Sequence, residues 1–145
     1  MAGERGFVAR NAAALGRLRA VIGRLSEDEL RRRMGEHWTV AAALAHLAFW
    51  DRRSLLLLRR WQREGYGPAP LEVDLINDTL LEEWLALAPK EAARLALSAA
   101  EAIDRELETV PDALIEQIVA DSPNRIERAQ HRNSHLDEVE RALVG

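Results

Sequence analysis

Apolar residues recur along this chain at the three-to-four-residue spacing of an α-helix, and no segment carries the one-in-two alternation of a half-buried strand. That pattern restricts the fold to packed helices. Phe7, Leu15, Leu18, Val21, Ile22 and Leu25 trace one face of a first amphipathic helix over residues 4–24. Ser26 followed by Glu29 is a capping box, which predicts a short helical turn through Leu30 and Met34 with Gly35 as its stop. Thr39 can cap a second long helix to about Glu64, whose stripe is Val40, Ala43, Leu47, Trp50, Leu57, Leu58 and Trp61 and whose end is marked by Gly65 and Gly67-Pro68. A loop over 66–74 and a helical segment over 75–87 follow. Pro89 then suits the first position of a third long helix to Thr109, with Leu95, Ala99, Ile103 and Leu107 one turn apart, and Pro111 closes it. A short turn around 113–119 leads to Ser122-Pro123, a cap and first-turn proline for a fourth long helix to about Leu143.

At 145 residues the chain suits one core, so residues 1–145 read as a single all-α domain, a four-helix bundle. The stretch between the second and third helices, 65–88, is long and contains its own helix, so it can run back along the bundle and leave those two helices parallel. The expected topology is therefore up-down-down-up with a long crossover between helices two and three. The charge balance, 20 basic against 24 acidic residues, gathers no basic face and argues against a nucleic-acid partner. The stretch Val40 to Leu58 is interrupted by His46, Asp51, Arg52 and Arg53, which argues against a membrane span. No secretion signal is recognisable at the start, and the default compartment is the cytoplasm. Leu55, Leu56 and Phe49 are more apolar surface than one chain of this size readily buries, which suggests a homodimer.

The chemistry is narrowed by what is missing. With no cysteine, a metal could be held only through nitrogen and oxygen, that is by histidine and carboxylate. Of four histidines, His131 and His135 stand four apart on the last helix, a spacing that lets two imidazoles reach one divalent ion. The plain alternative is two solvated polar residues. His46 lies at the margin of the apolar stripe of the second helix, where packing alone would choose Leu or Ala; it either finds one carbonyl or carboxylate or contributes to a site between facing helices. His37 precedes the cap of that helix and reads as exposed loop. Glu127 and Glu138 fall near the azimuth of the histidine pair, as hydrogen-bond partners for the rings or as solvated charges. Trp38, Trp50, Trp61 and Trp84 read as core and helix-joint packing, Trp50 having the best claim to a pocket wall. The pairs Arg52-Arg53 and Arg59-Arg60 read as a solvated face.

Several of these residues together resemble the DinB/YfiT-like metalloenzyme superfamily of bacterial four-helix bundles, and the likeness spans nearly the whole chain. It rests on Trp38-Thr39-Val40, on Ala45-His46-Leu47-Ala48-Phe49-Trp50-Asp51, on Asn77 after the long loop, and on His131-Arg132-Asn133-Ser134-His135-Leu136. The resemblance implies that His46, His131 and His135 bind a divalent metal. It also implies a small-molecule enzyme, since the superfamily includes thiol-dependent transferases and isomerases and a hydrolase alongside members of no known activity. Three neutral nitrogens would leave an open metal position for water or substrate, suited to hydrolysis or to activating an added low-molecular-weight thiol. Zinc, nickel, iron(II) and manganese are all compatible, and no further catalytic residue is indicated. The other reading is a bundle used only for binding or association, with vestigial histidines.

Overall fold

The computed structural model describes residues 5–144. Its order is α1 (Gly6–Arg24), α2 (Glu27–Leu30), β1 (Arg33–Met34), β2 (Trp38–Thr39), α3 (Val40–Glu64), α4 (Val73–Ala86), α5 (Pro89–Thr109), α6 (Asp112–Asp121), a 3-10 turn (Pro123–Arg125) and α7 (Ala129–Val144). Local chemistry accounts for most boundaries. The Ser26 hydroxyl accepts from the Glu29 N–H at 3.1 Å while Glu29 accepts from the Ser26 N–H at 3.0 Å, so the expected capping box forms. Thr39 Oγ1 accepts from the Ala42 N–H at 3.1 Å and opens α3, and Gly65, at φ +91°, closes it in a conformation other residues rarely adopt. Pro89 occupies the first turn of α5, where its missing N–H removes no helical bond.

Two expectations are corrected. Met34 is not helical: Arg33 and Met34 pair antiparallel with Thr39 and Trp38, and Gly35, at φ +69°, turns the chain between them. Two residues per strand are too few to produce an alternation. The last long helix begins at Ala129 rather than Pro123, because Ser122-Pro123 opens only the short 3-10 turn. The N–H groups of Arg128 and Ala129 are instead capped by the Asn11 side chain of α1, whose Oδ1 accepts from them at 2.9 and 2.8 Å while its Nδ2 donates to the Ile126 carbonyl at 2.7 Å. A cap supplied from more than a hundred residues away leaves no local signal.

The four long helices pack as neighbouring pairs: α3 with α5, α5 with α1, α1 with α7, and α7 with α3. The α3–α5 seam is the most extensive and is built on small residues, Ala41, Ala42 and Ala45 facing Ala92, Ala93, Ala96 and Ala100, which lets the two backbones approach closely. One apolar cluster gathers Leu18 and Val21 of α1, Val40 to Leu47 of α3, Ala92 to Ala100 of α5, and Leu136 and Val139 of α7. The other gathers Phe7, Leu55, Leu57, Leu58, Trp61, Ile103 and Leu107 with Ile115, Ile118 and Ile126. Leu55 is therefore buried within the chain, and only Leu56, 51% exposed, and part of Phe49 remain of the surface on which the homodimer was expected. Among the described residues no helix is long and apolar enough to cross a membrane.

Between the two clusters lies a buried ionic layer that joins all four long helices. Asp51 of α3 accepts from Arg128 Nε at 2.8 Å and from Arg132 Nε at 3.3 Å, and Arg132 makes a two-pronged contact with Asp104 of α5 at 2.8 and 3.0 Å. Arg132 also donates to the Asn11 carbonyl of α1 at 3.0 Å. Asp51 and Arg132 are 1% and 0% exposed, so neither charge has water to fall back on. Burial alone would lower the Arg132 guanidinium, but Asp51 and Asp104 outweigh it and hold the group above its ordinary value. Burial raises the Asp104 carboxyl, with Arg132 opposing the shift.

Candidate metal centre

The ionic layer fixes α7 against α3 with His131 set between the two anchored arginines on the chain. That register carries His131 and His135, one turn apart on α7, to His46 in the second turn of α3. His46 Nε2 and His131 Nε2 are 3.2 Å apart, and one ligating atom from each of the three histidines lies within 4.8 Å of the others. His46 is enclosed by aromatic rings: Trp38 and Trp84 meet it edge-on with centroids 5.5 and 5.3 Å away. These two tryptophans thus pack the site as well as the helix joints, and their number in the sequence gave no sign of it.

Burial dominates the electrostatics. It lowers the His46 pKa to about 4, helped by the neighbouring His135, and lowers His131 to about 2, helped chiefly by the Arg128 guanidinium. Both rings are therefore neutral at pH 7, the form that can ligate. His135 Nδ1 lies 2.7 Å from Glu138 Oε1, so the carboxylate can hold the Nδ1 proton and Nε2 is the atom offered to the cluster. Glu127 does not share that role; it accepts from Arg10 instead. His37 stands apart, its side chain 75% exposed beside Glu36.

A divalent ion fits this donor set: three imidazole nitrogens from two helices, converging without an intervening side chain, suit borderline metals. The histidines also form a chain of their own. Arg128 Nη2 lies 3.4 Å from His131 Nδ1, and because a guanidinium only donates, this contact places the His131 proton on Nε2, facing His46 Nε2. In that state His46 Nδ1 is buried with no partner among the described residues, an arrangement worth about 1–3 kcal/mol of lost hydrogen bonding. A ligating His131 would carry its proton on Nδ1 when Nε2 holds the ion, and the Arg128 contact would then open.

Two cavities flank the three rings. One, about 510 Å³, is bounded by Trp38, Gly35, Glu138 and Arg141; the other, about 680 Å³, by Trp50, Leu71, Val73, Arg125 and Arg128. Both are lined by His46, His135 and Asn77. Asn77, on α4, accepts from Trp50 Nε1 at 2.9 Å and ties the crossover helix over the site. The residues whose part sequence reasoning did not read are Asp51 and Arg132, named only within motifs, and Arg128. The available signal was position: Arg132 falls on the seam marked by Ala129, Leu136 and Val139, where a charge must find a buried partner.

Comparison with known proteins gives one positive result: a family model described as the DinB superfamily matches residues 11–137, a span that contains all three histidines. No curated protein and no solved structure matches the chain.

Proposed function

The chain belongs to the DinB superfamily, and from that premise we propose that it is a divalent-metal-dependent small-molecule enzyme, a hydrolase or a thiol-dependent transferase or isomerase, with His46, His131 and His135 as the ligands. The observation that carries the reading is the convergence of three imidazoles, two of them held neutral by burial, at the junction of two cavities. When bound, zinc, nickel, iron or manganese would supply Lewis acidity and a lowered pKa for a coordinated water or thiol. The protein's own part is to hold the rings and shield them. Asp51, through Arg128 and Arg132, sets where His131 stands; Glu138 orients His135; Trp38 and Trp84 keep His46 dry. The absence of cysteine means that a thiol, if used, comes from a small cosubstrate.

The same reading takes the bundle as one domain in up-down-down-up order. What supports that order is that the first apolar cluster mixes the N-terminal ends of α3 and α5 with the C-terminal ends of α1 and α7, and the second sets the C-terminal ends of α3 and α5 beside Phe7 at the start of α1. A cytoplasmic protein without nucleic-acid or membrane partners, associating as a homodimer over Leu56 and Phe49, completes the proposal. One contact favours the alternative of a non-catalytic bundle: the chain Arg128–His131–His46 satisfies both nitrogens of His131 with hydrogen bonds alone. Thermal melts separate the two. Metal binds the assembled site far better than the unfolded chain, so added zinc or nickel at pH 7 is expected to raise the melting temperature. Replacing any of the three histidines by alanine should remove most of that gain. No metal-dependent shift in the wild type would favour the binding module.

A further inference from the structure

The larger cavity beside the histidines has a cationic wall that metal ligation does not use. Arg125, in the turn before α7, lines it, and the Arg125 Nε is a buried donor with no acceptor among the described residues. Near it on α3, but not on the cavity wall, Arg53 places its guanidinium 5.9 Å from the centre of the Trp50 ring, and its Nη1 is likewise buried without an acceptor among the described residues. The exposed arginines farther along α3 differ: Arg59 meets Glu106 and Arg60 meets Glu64. Burial lowers the Arg125 guanidinium, and the nearby charges of Arg53 and Arg128 push it further down.

The carboxylates that could offset this wall are engaged elsewhere. Asp121 accepts from the Tyr66 hydroxyl, Glu127 from Arg10, and Asp51 from Arg128 and Arg132. An unpaired guanidinium donor on a residue lining a cavity whose one lining carboxylate, Glu127, is taken by Arg10 is a costly arrangement that an oxyanion would relieve, since the planar fork matches carboxylate and phosphate oxygens. Arg53, expected from the sequence on a solvated face, thus turns one donor inward.

We propose that Arg125, with Arg53 close by, forms a docking site for the oxyanion group, carboxylate or phosphate, of a small-molecule substrate held in the cavity that Arg125, His46, His131 and His135 line. The site rests on the metal-enzyme reading only for where it delivers the rest of the substrate; anion binding itself needs no metal. Trp50 and Leu71 would cover the apolar part of such a ligand.

The test uses the full chain stripped with EDTA and titrated, at constant ionic strength against chloride, with inorganic phosphate and in a parallel arm with malonate. Melting temperature and heat of binding are followed. Saturable binding of at least one anion is expected, phosphate or malonate identifying which oxyanion the wall prefers. Its affinity should fall at least about tenfold in Arg125→Gln and in Arg53→Gln while Arg52→Gln, changed at an exposed neighbour, retains it. No saturable binding of either anion by the wild type would overturn the site, as would an equal loss in Arg52→Gln. Metal content is measured on the same chain before stripping and again after the stripped chain is exposed to zinc or nickel. Chain that binds an anion but holds no metal leaves this site standing and refutes the metal enzyme; chain that holds metal and binds neither anion refutes the docking site alone.

Discussion

His46 and His131 are histidines that a folded chain keeps neutral where free imidazole would be charged. Their pKa values fall to about 4 and about 2 because burial removes the water that would solvate the cation, and His135 and Arg128 add like charge. In the unfolded chain both return to about 6.5. Between about pH 6.5 and 4 the unfolded state therefore binds protons that the folded state refuses, so this contribution to stability is full above 6.5 and declines as the pH falls. Metal-stripped protein is expected to melt at a clearly lower temperature at pH 5 than at pH 7, while the ring resonances of His46 and His131 still report neutral imidazole at pH 5. Ring signals titrating near 6.5 would contradict the burial. The histidine pair on α7 was legible from its spacing, and His46 from an imidazole on an apolar stripe. The contact of Arg128 with His131 was not, since it depends on side-chain direction within one helix turn.

Two kinds of helix boundary set how far the sequence could be read. Those of α3 and α5 are written locally, in Thr39, Gly65 and Pro89, and fall where the residues place them. The start of α7 is written in α1, because Asn11 takes the place of a local cap; and the β1–β2 ladder is too short to carry a pattern. Asn11→Ala removes three buried hydrogen bonds, and a loss of about 1–3 kcal/mol is expected in urea unfolding. A loss under half a kcal/mol would mean that α7 finds another cap. Asp51 is the stronger test of how α7 is seated. Asp51→Ala leaves Arg128 and Arg132 facing each other across a buried space, with an expected cost of about 3–5 kcal/mol and a weaker hold on metal.

For the molecule as a whole, two apolar clusters with an ionic layer between them explain why an all-helical chain of this length can hold polar groups at its centre. The layer satisfies its charges internally and, in doing so, aligns two helices far apart in sequence at the level of the three histidines. With Leu55 inside the core, the proposed dimer contact depends on Leu56 and Phe49 alone. Light scattering at high protein concentration is expected to give twice the chain mass, and Leu56→Ser to reduce it to one; a wild-type monomer would refute that association. The claim on which the rest depends is that His46, His131 and His135 act as one metal site, and metal content measured by mass spectrometry on protein purified without chelator tests it most directly. Near one divalent ion per chain is predicted for the wild type and for His37→Ala, and a small fraction of that for His46→Ala, His131→Ala and His135→Ala. Wild-type protein free of metal after exposure to zinc and nickel, or His37→Ala losing metal as fully as His46→Ala, would contradict it.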